Sequence, residues 1–173
     1  HVDMKWCPGV DFSAGSLGMG LSFGLGCAMA ARLDNSERRA FVMLGDGEIQ
    51  EGSVWEAAMA AAHHEVGNLK VILDRNRIQN DDFCEAQMRM FDIPAKWRAF
   101  GWEVKEIDGH NMEEVMSGLD FLEATNDKPS ILIAHTIKGA GVSFMEDNPA
   151  FHGAAPNDEQ FAQAMAELGE VVA

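Results

Sequence analysis

Phe41-Val42-Met43-Leu44-Gly45-Asp46-Gly47-Glu48 is the stretch that decides the fold. Four apolar residues in a row, followed at once by Gly-Asp-Gly, read as a strand covered on both faces that ends in a tight polar turn. Working outward, Leu69–Leu73 and Ser130–Ala134 are nearly continuous apolar runs as well, and Trp102–Ile107 also reads as a strand. Helical patterns lie between these runs. Ser16–Leu33 is small and apolar, with Gly20 and Gly24 four apart on one face. Ser53 and Glu56 have capping-box spacing and predict a helix to about Glu65, stopped at Gly67. Asn111 and Glu114 predict a similar start for a helix through Leu122, and Asn157–Leu168 reads as a last one. Strand and helix in alternation mean crossover units on a parallel sheet sandwiched by helices. The fold class is α/β, with one domain over residues 1–173. Ligands of such sheets sit at the carboxyl ends of the strands.

Composition narrows the function classes. The 173 residues are 47% hydrophobic, enough for one ordinary core. With 13 Lys and Arg against 28 Asp and Glu, the formal charge is −15. That disfavours nucleic acid and anionic membrane surfaces, whose affinity comes largely from cationic side chains. No apolar run reaches the roughly 18 residues of a membrane span. Cys7, Cys27 and Cys84 have no paired spacing, which favours a reduced, cytoplasmic setting over a disulfide framework or a zinc knuckle. The sequence opens on His1, in mid-motif, and reads as a piece with residues missing upstream.

The chemistry lies after the strands. Gly45-Asp46-Gly47 follows the first, and Asp74-Arg75-Asn76-Arg77-Ile78 follows the second. Adjacent parallel strands would bring Asp46 and Asn76 to one edge of the sheet. A hard cation such as Mg²⁺ takes oxygen ligands and is commonly shared with substrate phosphates. Asp46 offers an anionic oxygen, Asn76 a neutral one, and a main-chain carbonyl a third. Gly45 and Gly47 leave room for a diphosphate, and the Ser53 helix start could lend its dipole. Taken alone, Gly-Asp-Gly is an ordinary turn. No G-x-x-x-x-G-K-[ST] loop is present, and Gly18-Met19-Gly20-Leu21-Ser22-Phe23-Gly24 misses the dinucleotide fingerprint by one residue.

Asn76 follows Asp46 by thirty residues, the spacing of the thiamin diphosphate motif. The flanking text resembles the transketolase family, in particular the amino-terminal subunit of its split form. The resembling stretches are 8–22, 45–58, 108–111 and 136–146, closing with Phe151-His152-Gly153-Ala154-Ala155-Pro156-Asn157. They run in order over nearly the whole chain.

The resemblance implies a thiamin diphosphate-binding fold with these roles. Asp46, Asn76 and the carbonyl of Ile78 would ligate Mg²⁺. Gly45 belongs to the diphosphate turn, and the Gly47 backbone would touch the diphosphate. Gly15, Ser16 and Leu17 would meet the aminopyrimidine through backbone groups. Glu51 would contact a partner subunit near the cofactor, and Lys138 would lie near the cofactor. His152 would sit by the diphosphate and reacting carbon. His1 takes the place of a His that meets the sugar substrate, although Val2 stands where the family has Pro. The implied reaction moves a two-carbon ketol unit from a ketose phosphate to an aldose phosphate. It would require a separate pyrimidine-binding subunit, in a dimer of such pairs. Two other readings stay open. One is another thiamin enzyme, a deoxyxylulose-phosphate synthase or the alpha component of a 2-oxo acid dehydrogenase. The other is a cofactor-binding module without turnover. The small residues Gly18, Gly20, Gly24 and Ala28 are expected to face a second chain, with internal packing as the alternative. His63 and His64 suit a helix end, and His110 a turn.

Overall fold

The computed structural model of the chain describes residues 2–171, so His1 lies outside the described residues. Four strands, β1 (Ala40–Gly45), β2 (Leu69–Arg75), β3 (Glu103–Asp108) and β4 (Ser130–His135), form one sheet in the order β1-β2-β4-β3. All three pairings are parallel. Helices α1 (Met19–Leu33), α2 (Gly52–His63), α4 (Ile93–Ala99) and α5 (Met112–Ala124) flank it, with a single turn, α3 (Cys84–Gln87), after β2 and α6 (Asp158–Val171) last. Because the strands are parallel, every carboxyl end reaches the same edge. Gly45 lies opposite Asp74, Asp74 opposite Ala134, and Asp108 opposite His135. The α/β reading therefore holds.

One face of the sheet packs on α1, α2 and α4. Val42, Leu44, Val71, Leu73, Ile131 and Ile133 meet Leu21, Ala28, Val54, Ala58, Ala61 and Trp97 in one buried cluster. On the other face, α5 places Leu122 against Ile107, Leu132 and Ala134. That cover stops short of β1, where Phe41 and Met43 are 52% and 70% exposed. The expectation that β1 is covered on both faces fails, because the apolar run at its start alternates in burial.

Helix ends differ from the sequence reading in instructive ways. α1 begins at Met19 and not Ser16, because Gly18 sits in the left-handed region at φ 79°. α2 begins at Gly52 with Glu51 at the N-cap and no side-chain capping bond, so Ser53 is not the cap. Gly67 serves a close approach rather than a helix stop. A Cβ there would lie 2.0 Å from the Asn126 carbonyl oxygen. α4, which the apolar patterning does not announce, carries ordinary signals. Asp92 accepts from Ala95 N at 2.8 Å, and Pro94 stands in the first turn. The Asn111 cap is as expected, accepting from the amides of Glu113 and Glu114 at 3.0 and 3.3 Å.

The small-residue stripe of α1 packs inward. A Cβ on Gly24 would come within 2.3 Å of Val42 Cγ2, and on Gly20 within 3.8 Å of Val42 Cγ1. The glycines bring α1 down onto β1, the helix–sheet packing given above as the alternative.

Lys70 is fully buried on β2, donating to the Thr125 carbonyl and, at 3.5 Å, to Ser130 Oγ. Burial first, then the charge of Arg39, lowers its pKa to about 8. The unfolded chain keeps that proton to about 10.4. Between these values the unfolded state binds more protons, so stability rises with pH. Lys70→Met is expected to flatten this rise, and thermal unfolding of both proteins between pH 8 and 10.5 checks it. Parallel profiles would rule out the assignment. Among the described residues no helix is long and apolar enough to cross a membrane.

Candidate functional site

The site grows from the ends of β1 and β2. Asp46 follows β1 and is 1% exposed. Its Oδ1 accepts from Gly47 N at 2.8 Å and from Cys84 Sγ at 3.3 Å, and its Oδ2 accepts from Arg77 N. Arg77 reaches that carboxylate through a backbone turned to φ 69°, a conformation a non-glycine residue rarely adopts. Burial pushes the Asp46 carboxyl up from its ordinary pKa, against the lowering effect of the Cys84, Arg77 and Gly47 donors and the Arg75 charge.

Asn76 stands just beyond β2, next in the chain to Arg77, whose amide the Asp46 carboxylate accepts. Its Nδ2 donates to Asp74 Oδ2 at 2.9 Å, and its Oδ1 accepts from Ile78 N at 3.0 Å. Asp74 is held in turn by the Thr136 hydroxyl, from the loop after β4. Ile78, 2% exposed, pairs with Phe83 in a small antiparallel bridge that returns the chain to Cys84.

These groups suit a hard cation. No ion pair among the described residues includes Asp46, so its buried charge meets only amides, a thiol and the more distant Arg75. A buried carboxylate is stable as an anion when a cation completes it. Carboxylate, amide and carbonyl oxygens are the donor set that Mg²⁺ takes. Among the described residues there is no cluster of three His, Cys, Asp or Glu that would compete as a metal site.

The other expected residues fall around this pair. Gly15, Ser16 and Leu17 form an exposed loop before Gly18, with Leu17 61% exposed. Glu51 caps α2 and lies against Gly18, where a Cβ would come within 2.8 Å of the Glu51 Cβ. Gly47 gives its N–H to Asp46, and its missing side chain makes room for Gln79, whose Cβ would lie 2.8 Å away. His152 follows the turn Pro149–Phe151, which is capped by Asn148 and steadied by Phe144 packed edge-on to Phe151 at 5.4 Å. Its pKa is lowered by burial and by the Lys138 charge, against the opposing pull of Asp46. Gly153, the next residue, faces the loop after β2, where a Cβ would lie 3.9 Å from Asn80 Oδ1. Arg77 and Asp147, 3.7 Å apart, join the loops after β2 and β4.

Four residues that hydrogen-bond around the candidate site escape the sequence reading: Glu48, Asp74, Cys84 and Thr136. Glu48 accepts from Gly18 N at 2.9 Å and from Gly45 N at 3.1 Å. The Asp–x–Asn spacing of Asp74 and Asn76 is the one available signal among them. His110 does more than help a turn. Its Nε2 accepts from Ile137 N at 2.8 Å, joining the loops after β3 and β4. His63 ends α2 with His64 beside it, rings 4.7 Å apart, as expected of a helix terminus.

Comparisons with known proteins agree with this geometry. The family described as "Transketolase, thiamine diphosphate binding domain" matches residues 1–171. One subunit of the apulose-4-phosphate transketolase of Phocaeicola vulgatus is 43% identical over 163 residues, covering 94% of this chain and 58% of that protein. A 6-deoxy-6-sulfo-D-fructose transketolase subunit of a Clostridium species is 39% identical over 168 residues, covering 97% of this chain and 61% of that protein. The crystal structure of transketolase from Campylobacter jejuni superposes with a TM-score of 0.87 at 29% identity, over 93% of this chain and 26% of that one. This chain thus spans about three-fifths of the length of the subunit relatives it matches. With a parallel sheet, a Gly-Asp-Gly turn at its carboxyl edge and a family match over residues 1–171, the chain belongs to the transketolase thiamine diphosphate binding domain family.

Proposed function

We propose that the chain is the diphosphate-binding half of a transketolase-type enzyme. It moves a two-carbon ketol unit from a ketose phosphate to an aldose phosphate, with thiamin diphosphate and Mg²⁺. The observation that carries this reading is the buried Asp46 carboxylate, in no ion pair among the described residues, with Asp46 and Asn76 each following the end of one of two adjacent parallel strands. Asp46, Asn76 and the Ile78 carbonyl would hold Mg²⁺, and the metal would hold the diphosphate. When bound, thiamin diphosphate supplies the nucleophilic carbon that accepts and passes on the two-carbon unit. The chain's own residues anchor and orient. Asp74 and Thr136 fix the Asn76 amide; the Gly15–Leu17 loop meets the aminopyrimidine; His152, kept neutral by burial and Lys138, donates a hydrogen bond to diphosphate or substrate oxygen. Glu51 would meet the partner subunit, and His1 the sugar.

Relatives named as subunits of split transketolases support a separate pyrimidine-binding partner, in a dimer of such pairs. Their named substrates, an apulose phosphate and a sulfo-sugar, widen the candidate donors beyond the common pentose phosphates. The free cysteines Cys7, Cys27 and Cys84 favour a reducing, cytoplasmic setting. A donor assay on the chain with its partner, cofactor and Mg²⁺ tests the reading. Turnover of a ketose phosphate such as xylulose 5-phosphate, and none of pyruvate, is the expected outcome. The reverse preference would favour the other thiamin enzymes, and cofactor binding without turnover the non-catalytic module.

A further inference from the structure

Glu48 joins the start of α1 to the end of β1, reaching Gly18 across thirty positions of the chain and Gly45 across three. From the short turn Glu48–Gln50, its Oε2 accepts from Gly45 N, at the end of β1, and its Oε1 from Gly18 N, at the start of α1. Each carboxylate oxygen takes one backbone amide, at 3.1 and 2.9 Å. Bonds from amides to a charged acceptor are roughly twice as strong as neutral ones. The side chain is half-buried. Gly18 is seated without slack: its φ is 79°, and a Cβ would meet Ser53 Oγ at 2.5 Å and Glu51 Cβ at 2.8 Å. Both donors are main chain, so the clamp depends on the acceptor alone.

We propose that Glu48 is a positioning residue that fixes the distance between the loop 15–18 and the Gly-Asp-Gly turn. The inference rests on the reading of these segments as the two contacts of one thiamin diphosphate, the aminopyrimidine end and the Mg²⁺-diphosphate end. A ligand that bridges two segments gains when they are already held at its own length, because the loop's freedom is not lost on binding. Glu48 touches neither end. It acts through the Gly18 and Gly45 amides, and it should matter only to a ligand that spans both segments.

That distinction supplies the test. Affinities for thiamin diphosphate and for inorganic diphosphate, each with Mg²⁺, are measured by calorimetry on the full protein with its partner subunit. Glu48→Ala removes both acceptors; Glu48→Gln keeps one oxygen. Glu48→Ala is expected to weaken thiamin diphosphate about tenfold, or about 1.4 kcal/mol, with Glu48→Gln between it and the parent. Inorganic diphosphate, which meets only the metal end, should stay within about twofold in both variants. Amide hydrogen exchange should show lost protection at Gly18 and Gly45 and retained protection in α2 and β2. If thiamin diphosphate affinity is unchanged, or if both ligands weaken together, the clamp is not a positioning device. Should Glu48→Ala not fold, the Glu48→Gln series decides alone by the same comparison. Failure of the underlying reading looks different: the parent protein would then bind neither ligand, or Asp46→Ala would leave inorganic diphosphate binding intact.

Discussion

Asp46→Ala is expected to lower the affinity for thiamin diphosphate about a hundredfold, or about 2.7 kcal/mol. The carboxylate is buried, and its rotation is fixed by Gly47 N and Cys84 Sγ on one oxygen and Arg77 N on the other. Neither of the other two proposed ligands can substitute. Asn76 is neutral and already bonded to Asp74 and Ile78, and Ile78 offers a carbonyl only. Removing Asp46 therefore takes away the one anionic ligand and leaves three donors facing a void. Asp46→Asn keeps the shape and loses the charge, so it separates the electrostatic part from the packing part. Calorimetric titration of the complete protein with Mg²⁺ and cofactor provides the measurement. Parental affinity in Asp46→Ala would remove the residue from the metal site.

His152→Ala is expected to lower kcat about a hundredfold or more, the usual effect of losing one donor to developing charge, about 2.7–4 kcal/mol. Mg²⁺ affinity should stay within about threefold, since His152 is no part of the proposed oxygen set. The imidazole is neutral because burial and Lys138 disfavour its protonated form more than Asp46 favours it. Its folded pKa therefore lies below the ordinary value of about 6.5, and the acid limb of kcat/KM should fall below that pH. Lys138→Ala removes a positive neighbour, so the limb should move to higher pH. A rate for His152→Ala within about threefold of the parent would show that the residue only fills the loop.

The sheet, and the meeting of the loops after β1 and β2 at its carboxyl edge, were legible because both follow from local pattern. Each apolar run stops at a polar turn, and parallel pairing carries Gly45 opposite Asp74. What supports Asp46 and Asn76 was not legible. Cys84 reaches Asp46 from a single helical turn, and Thr136 reaches Asp74 across 62 positions. Glu48 looks like one more acid near a helix start until its two amide partners are seen. Such contacts depend on where loops cross in space, and no periodicity marks them. Misread helix starts have a related cause. Ser53 has capping spacing, but the Gly47–Glu51 turn leads the chain into α2 two residues earlier than Ser53 would. The apolar run at β1 misled for another reason. Continuous hydrophobicity shows that a strand can be covered on both faces, while Phe41 and Met43 depend on what lies against them.

Cys84 carries a consequence for handling the protein. Burial first, then the charge and the hydrogen bond of Asp46, push its thiol up to about 12, and it is 2% exposed. Since the thiolate is the reactive form, native Cys84 is closed to alkylating and oxidising reagents, whereas Cys7 and Cys27 are exposed. Labelling of Cys84 therefore requires the Asp46 pocket to open, and its rate reads the free energy of that opening. The molecule has its own chemical gauge of how often its centre comes apart, independent of any assay of turnover.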